Sequence, residues 1–245
     1  MQNDWKTRLI LLLAALSAVF YGINYALFKD TEYMGKLVTM QLAFLPIQVI
    51  LITLFLNGMI ARREKHVRSF KLNMVIGSFF SEVGEHLLKS LADFDPDRDT
   101  LKDHLMLNGQ WTEDDFSKAH QYVKERRYLV QMDKNKLAQL RAFLLSKRGF
   151  MLWLVENPNI LEHESFTDLL MPLFHLTEEL AHRDNLSSLP ETDYAHLAED
   201  IKRSYLPLLA EWLSYMNYIK ASYPYFYSLA VRTNPLNPVA RTEVI

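Results

Sequence analysis

The sequence predicts an all-α protein: a two-helix transmembrane hairpin followed by a cytoplasmic helical bundle of about five to six helices. Three observations carry that reading. Two apolar runs near the N-terminus, Leu9–Phe28 and Leu37–Ile60, are each long enough to cross a bilayer. Beyond them, apolar residues recur every three or four positions, the period of an amphipathic helix. No stretch alternates apolar and polar residues as a half-buried strand would, and only seven glycines fall in 245 residues.

The overall composition, 49% hydrophobic with a mean hydropathy of -0.07, averages two unlike regions. Residues 1–61 hold four Lys/Arg and three Asp/Glu, residues 62–71 hold five Lys/Arg against Glu64 alone, and residues 72–245 hold 18 Lys/Arg against 25 Asp/Glu. The last region is therefore acidic and lacks the basic face that nucleic acid requires, so no nucleic-acid partner is expected. The absence of cysteine excludes disulfides, thiolate zinc sites and cysteine nucleophiles.

Taken in order, Leu9–Phe28 spans roughly 30 Å as a helix, the thickness of a bilayer core. A cleaved signal peptide fits it poorly. The run exceeds the ~7–15 residues of a signal core, and it ends Tyr25-Ala26-Leu27-Phe28-Lys29-Asp30 with no small-x-small cleavage site. Lys29–Lys36 reads as a short connection before the second span. Two spans place both termini on one side of the membrane. Lys6, Arg8 and the basic run after the hairpin outnumber Lys29 and Lys36 in the connection, which assigns that side to the cytoplasm. Arg62, Arg63, Lys65 and Arg68 are expected at the lipid headgroups, each contributing about 1 kcal/mol near an anionic surface. The expected organisation is a hairpin over 1–61 with spans at about 9–28 and 37–60, a basic juxtamembrane segment over 62–71, a helical bundle over 72–233 and an extended tail over 234–245.

Polar residues inside the spans fall in stripes. Gln41 and Gln48 are seven apart, as are Ser17 and Asn24, while Thr39, Pro46, Thr53 and Asn57 take another face. Amides in hydrocarbon need partners, so Asn24, Gln41, Gln48, Thr53 and Asn57 read either as helix-packing residues or as a pore lining.

The bundle is entered by a helix that continues the second span through the basic run. Phe70, Met74, Val75, Phe79, Val83, Leu87 and Leu91 give its apolar stripe, and Asp93-Phe94-Asp95-Pro96-Asp97-Arg98-Asp99 ends it in a turn expected to be solvated. A calcium loop of EF-hand type would need Gly and Glu where Arg98 and His104 stand. A short helix over Leu101–Asn108 follows. Thr112 and Asp115 predict a capping box for a helix from Glu113 to about Arg127. Asp133 predicts the cap of a helix over Lys134–Glu156, and Ser165 the cap of one running through Arg183. The last long helix is expected from Glu191 to Ser222, broken at Tyr223-Pro224.

One candidate metal constellation stands out, His175-Leu176-Thr177-Glu178-Glu179-Leu180-Ala181-His182. Glu179 and His182 have the Glu-x-x-His spacing of helical di-metal sites. A second such pair is missing, His196-x-x-Glu199 being the reverse order, and the apolar stripe of this helix lies away from both histidines. His175, Glu179 and His182 therefore read as a solvated polar face, with no metal or other cofactor expected. The aromatic series from Tyr205 to Tyr227 offers a partner interface at Trp212, Tyr215, Tyr225 and Tyr227, or bundle packing. No nucleophile elbow, phosphate loop or dinucleotide fingerprint is present, so no catalytic residue is expected.

Phe44-Leu45-Pro46-Ile47-Gln48-Val49, Lys71-Leu72-Asn73-Met74-Val75-Ile76-Gly77, Phe79-Phe80-Ser81-Glu82-Val83-Gly84, His163-Glu164-Ser165-Phe166 and Tyr223-Pro224-Tyr225-Phe226-Tyr227-Ser228-Leu229-Ala230-Val231-Arg232 together resemble a group of uncharacterised bacterial two-span membrane proteins with a helical cytoplasmic domain. The resemblance covers most of the chain and implies a multi-pass location in the bacterial inner membrane with both termini cytoplasmic. It carries over no activity. The expectation is a non-enzymatic interaction or assembly module in contact with the lipid bilayer, self-associating or bound to a membrane protein partner. The alternative is a homo-oligomeric ion channel lined by the second span.

Overall fold

Long runs of helix-forming residues with few glycines favour helix throughout, and the computed structural model contains only helical regular structure among its described residues, 4–243 apart from 162 and 238. The chain divides into two compact units, Met1–Lys65 and His66–Ile245.

In the first unit, α1 (Asp4–Phe28) is followed by α2 (Thr31–Phe79), whose residues up to 65 belong here. The connection is shorter than the expected Lys29–Lys36. Lys29 turns the chain in the left-handed region at φ 48. Asp30 then accepts the Tyr33 N–H at 2.9 Å and starts α2 at once, and Lys36 pairs with Glu32 at 2.8 Å one turn on. Both helices are long and apolar enough to cross a membrane. Their large apolar side chains find little protein to pack against, from Val38 at 40% exposed to Met40 at 75%.

In the second unit the end of α2 passes into a single π turn, Phe80–Gly84, and then α3 (Glu85–Ala92). The wider turn brings two successive rings inward, and Phe79 and Phe80 are both buried. Phe79 meets Phe166 edge-on at 5.3 Å, and Phe80 stacks on Tyr215 at 5.2 Å. Only glycine fits the end of this turn, because a Cβ on Gly84 would lie 2.4 Å from the Phe80 ring.

The remaining helices are α4 (Arg98–Leu105), α5 (Glu113–Glu125), α6 (Lys134–Val155), α7 (Pro158–Leu161), α8 (Glu164–Ala181), α9 (Glu191–Ser222) and α10 (Pro224–Arg232). The long α9 is the hub, with α3, α5, α8 and α10 packed on it and α6 packed on α8. Local chemistry sets several ends. Thr112 and Asp115 form the capping box of α5, and the Asp133 carboxylate accepts the N–H groups of Asn135 and Lys136 at the start of α6.

Three expectations are corrected. The start of α8 is capped by His163, whose Nδ1 accepts the Phe166 N–H. Ser165 lies inside the first turn, where its hydroxyl donates to Glu211 Oε2 at 2.9 Å. The aspartate turn after α3 is not wholly solvated: Asp95 is buried and pairs with Arg126 at 2.5 Å, while the Arg126 guanidinium also donates to the Asp97 carbonyl. The segment after α10 folds back rather than extending, since Asn234 is buried with its amide donating to the Leu105 carbonyl at 3.1 Å.

Candidate functional site

Helices α8 and α9 run antiparallel. Ser165 meets Glu211 at one end of their seam and Arg183 meets Asp193 at the other, so residue pairs summing to about 376 face one another. On α8, His175 and Glu179 are one turn apart on one face; on α9, so are His196 and Asp200. The antiparallel register brings the two pairs together crosswise. His175 Nε2 lies 3.7 Å from Asp200 Oδ1 and 3.8 Å from Glu179 Oε1, and His196 Nε2 lies 3.3 Å from Asp200 Oδ2 and 3.6 Å from Glu179 Oε2. Nitrogen and oxygen donors thus alternate around a small ring.

The surroundings treat the two carboxylates differently. The Asp200 side chain is fully buried; Arg203 reaches its Oδ1 at 3.3 Å, while its Oδ2 has no hydrogen-bond partner. Glu179 is held by Arg183 at 2.7 Å, and the same guanidinium forms a two-bond fork with Asp193 at 2.7 and 2.8 Å. The Arg183 hydrogen bonds hold both Glu179 and Asp193 below their ordinary carboxylate values. Both imidazoles are about half exposed, so the ring has a buried floor and an open mouth. Two imidazoles with two carboxylates is a donor set able to hold a divalent cation.

Of the residues expected at a metal constellation, His175 and Glu179 belong to this ring and His182 does not. His182 sits just past the end of α8 with its Nδ1 2.8 Å from the Glu178 carbonyl oxygen. His196 and Asp200 fall outside the Glu-x-x-His pattern, in which His196 meets only Glu199, in reverse order. The i, i+4 spacing His196-x-x-x-Asp200, matching His175-x-x-x-Glu179, was the available signal. Among the described residues, His175, His196 and Asp200 are the one group of three such ligands whose donor atoms all lie within 4.8 Å of one another.

The expected aromatic interface divides. Trp212 and Tyr227 are buried in the core and are not available to a partner, because α9 is covered along the face that carries Trp212 and the Tyr227 hydroxyl donates to the Asn108 carbonyl at 2.8 Å. Tyr225 stands 92% exposed, and Tyr215 lines a groove of about 850 Å³ with Phe70, Met74, Phe80, Tyr218 and Phe226. Glu85 also borders this groove, and burial raises its pKa. In the first unit, Ser17, Asn24 and Gln41 line a cleft of about 330 Å³ between α1 and α2, and Gln48, Thr53 and Asn57, outside that cleft, are exposed. Arg62 and Arg63 are exposed on α2, and the side chains of Lys65 and Arg68 lie outside the described residues.

Two family models cover nearly the whole chain. The model described as the C-terminal helical domain of uncharacterized protein MJ1433 matches residues 68–232, and the MJ1433 N-terminal helical domain matches residues 1–60. The chain belongs to the MJ1433 family. Uncharacterized protein MJ1433 of Methanocaldococcus jannaschii is 38% identical over 237 residues, 96% of this chain and 95% of that one. This MJ1433 relative is archaeal, whereas the resemblance read from the sequence pointed to bacterial proteins. No solved structure matches. Both the ring on α8 and α9 and the groove fall within the region that the MJ1433 C-terminal model covers, apart from the groove residues Thr233 and Thr242.

Proposed function

We propose that this chain is an integral membrane protein of the prokaryotic plasma membrane, anchored by α1 and the first part of α2, whose helical domain works on the cytoplasmic side by binding rather than by covalent chemistry. One observation carries the anchor. Two consecutive helices expose their large apolar side chains over some 50 residues, a surface far beyond the few hundred Å² that a soluble monomer leaves uncovered. A bilayer covers such a surface at no cost, and helices satisfy their own backbone groups within it. The distribution of Lys6, Arg8, Arg62 and Arg63 against Lys29 and Lys36 supports the cytoplasmic assignment. Full-length protein should stay in the membrane fraction after alkaline carbonate extraction and need detergent for release. A cytoplasm-active reporter fused after Ile245 should be active. Recovery of the chain as a soluble species without detergent removes the anchor, and a reporter active only outside the cytoplasm reverses the topology.

A second reading, self-association around a conducting axis, is supported by the exposed polar residues Gln48, Thr53 and Asn57 on the apolar part of α2. Ser17, Asn24 and Gln41 line a common cleft, but amides exposed to hydrocarbon, such as Gln48 and Asn57, gain from a second copy of these helices. Mass measurement in detergent should give an oligomer that Gln48→Leu weakens. Current through reconstituted bilayers, altered by the same substitution, separates a channel from simple association.

A further inference from the structure

We propose that His175, His196 and Asp200, with Glu179 as fourth donor, form a binding site for one divalent first-row transition cation, of which Zn²⁺ is the reference. The inference is independent of the membrane reading, since all four residues lie in the helical domain and their geometry would be the same in a soluble protein.

The spacing of the donors comes first. Metal–nitrogen and metal–oxygen bonds of 2.0–2.2 Å in a tetrahedral zinc site place neighbouring donors about 3.3–3.6 Å apart. The imidazole–carboxylate distances are 3.3, 3.6, 3.7 and 3.8 Å, with the two histidines facing different oxygens of each carboxylate. The donor atoms of His175, His196 and Asp200 all lie within 4.8 Å of one another, so a cation would draw these three inward from that spacing. Each histidine presents Nε2 to the centre, and each approaches one oxygen from either carboxylate. Two helices that each place donors at i and i+4 supply this arrangement from rigid backbone, with no loop residue involved.

The orphaned oxygen is the second, independent observation. Buried carboxylates are ordinarily ion-paired or hydrogen-bonded on both oxygens, because water is not there to replace the missing partner. Asp200 Oδ2 is buried, aims into the ring, and accepts no hydrogen bond although His196 Nε2 is only 3.3 Å away. A cation at the ring centre satisfies that oxygen and both Nε2 lone pairs at once. The competing arrangement, protonated imidazoles ion-paired to the two carboxylates, would set His196 Nε2 against Oδ2 at 3.3 Å without a metal, and titration with Co²⁺ separates the two.

Around the donors, Arg183 fixes Glu179 by its Oε2, and Arg203 contacts Asp200 by its Oδ1. Outer partners of this kind orient ligands and set their basicity. Arg183 also uses an oxygen of Glu179 that a metal would otherwise share, which makes Glu179 the weakest of the four donors and His175, His196 and Asp200 the essential three. With no sulfur ligand, the set suits Zn²⁺, Fe²⁺, Co²⁺ or Ni²⁺ rather than Cu⁺, and the two imidazoles disfavour Ca²⁺ and Mg²⁺.

The test uses full-length protein in detergent, purified without a polyhistidine tag and stripped with chelator. Titration with Co²⁺ should give a visible ligand-field band saturating at one ion per chain, which Zn²⁺ displaces; Zn²⁺ should also raise Tm in a concentration-dependent way. His175→Ala and His196→Ala each remove a half-exposed side chain and should leave the circular dichroism spectrum unchanged while abolishing the Co²⁺ band. Asp200→Asn should do the same to binding. His182→Ala should leave the titration unchanged. The assignment is overturned by the absence of a saturable band, by binding that survives both His196→Ala and Asp200→Asn, or by a loss on His182→Ala as large as on His196→Ala.

Discussion

The apolar helices of the first unit, α1 and α2 as far as residue 65, and the domain that follows use the same helix-forming vocabulary and put it to opposite ends. In the domain, an apolar side chain on the stripe of a helix meets another helix: Leu173, Leu176, Leu180, Leu208 and Leu209 are all fully buried on the α8–α9 seam. In the first unit, Leu12, Phe20, Leu54 and Phe55 are equally apolar and remain 61–67% exposed. The domain also carries charge inside its fold, at Asp95, Asp200 and Glu211, while residues 37–61 carry none. Apolar content alone therefore does not say whether a helix belongs in a core. The contrast lies in whether polar residues interrupt the helix surface at the helical period, which marks one side for water and the other for protein.

The largest expected effect tests the buried charge. Asp95→Ala leaves the Arg126 guanidinium buried without its partner and should cost about 3–5 kcal/mol of domain stability. Urea denaturation in detergent, followed by Trp212 fluorescence, measures it. A loss below about 1 kcal/mol would mean that water reaches Arg126 and that the turn behaves as the solvated acidic loop expected from its sequence.

One leucine substitution in each region breaks or sharpens the comparison directly. Leu173→Ala should cost about 2–5 kcal/mol, through lost transfer energy and the cavity left behind. Leu12→Ala, at a residue 61% exposed, should leave the urea midpoint of the domain unchanged. Equal losses at the two sites would show that the hairpin and the domain unfold as one unit.

Much of this architecture was legible in local sequence, and the reason is that its signals are local. The capping box of Thr112 and Asp115, the Asp133 cap and the stop at Tyr223-Pro224 all act within one helical turn. The π turn at Phe80–Gly84 was not legible, because two adjacent rings turn inward only when Phe166 and Tyr215 wait to receive them from 87 and 135 positions away. His163 displaced Ser165 as the α8 cap for a similar reason, since Ser165 is drawn to Glu211 on another helix. The donor ring shows the same limit. Each half is visible as an i, i+4 pair, but the crosswise meeting of His175 with Asp200 depends on the register of α8 against α9, which no spacing in either helix encodes.

Glycine supplies the next contrast, smaller in size. Gly84→Ala places a Cβ 2.4 Å from the Phe80 ring and should cost about 1–3 kcal/mol as the aromatic cluster shifts. Gly58→Ala meets nothing within 4 Å and replaces a poor helix former with the best one, so α2 should gain up to about 1 kcal/mol in helix stability. Thermal unfolding monitored by near-ultraviolet circular dichroism, which reads the aromatic packing around Phe80 and Tyr215, distinguishes the two. An unchanged melting curve for Gly84→Ala would mean that the π turn can relax to an ordinary helix.

The smallest effect is the pH dependence of the domain, where buried and ion-paired carboxylates meet on the α8–α9 seam. The two ends of the α8–α9 seam should respond in opposite senses. At one end, the Arg183 hydrogen bonds lower the pKa values of Glu179 and Asp193 from their ordinary 4.5 and 3.8. A lowered folded-state value means that the unfolded chain binds protons first, so this stabilisation is complete above about pH 5 and is lost as pH falls through the folded values. At the other end, burial raises Glu211 above 4.5, against the weaker pull of the Ser165 hydroxyl bond and of His163. The folded state there holds its proton more tightly, so Glu211 favours folding at low pH and opposes it once pH rises through its folded value. Arg183→Met should therefore lower stability at pH 7 and flatten the decline below pH 4.5. Glu211→Gln, which can still accept the Ser165 hydrogen bond, should raise stability at pH 7 and change it little near pH 4. Stability curves between pH 3 and 8 on metal-free protein read both slopes. A Glu211→Gln protein that is less stable at pH 7 would show that the carboxylate is held there by a cation, reversing the sign at that end of the seam.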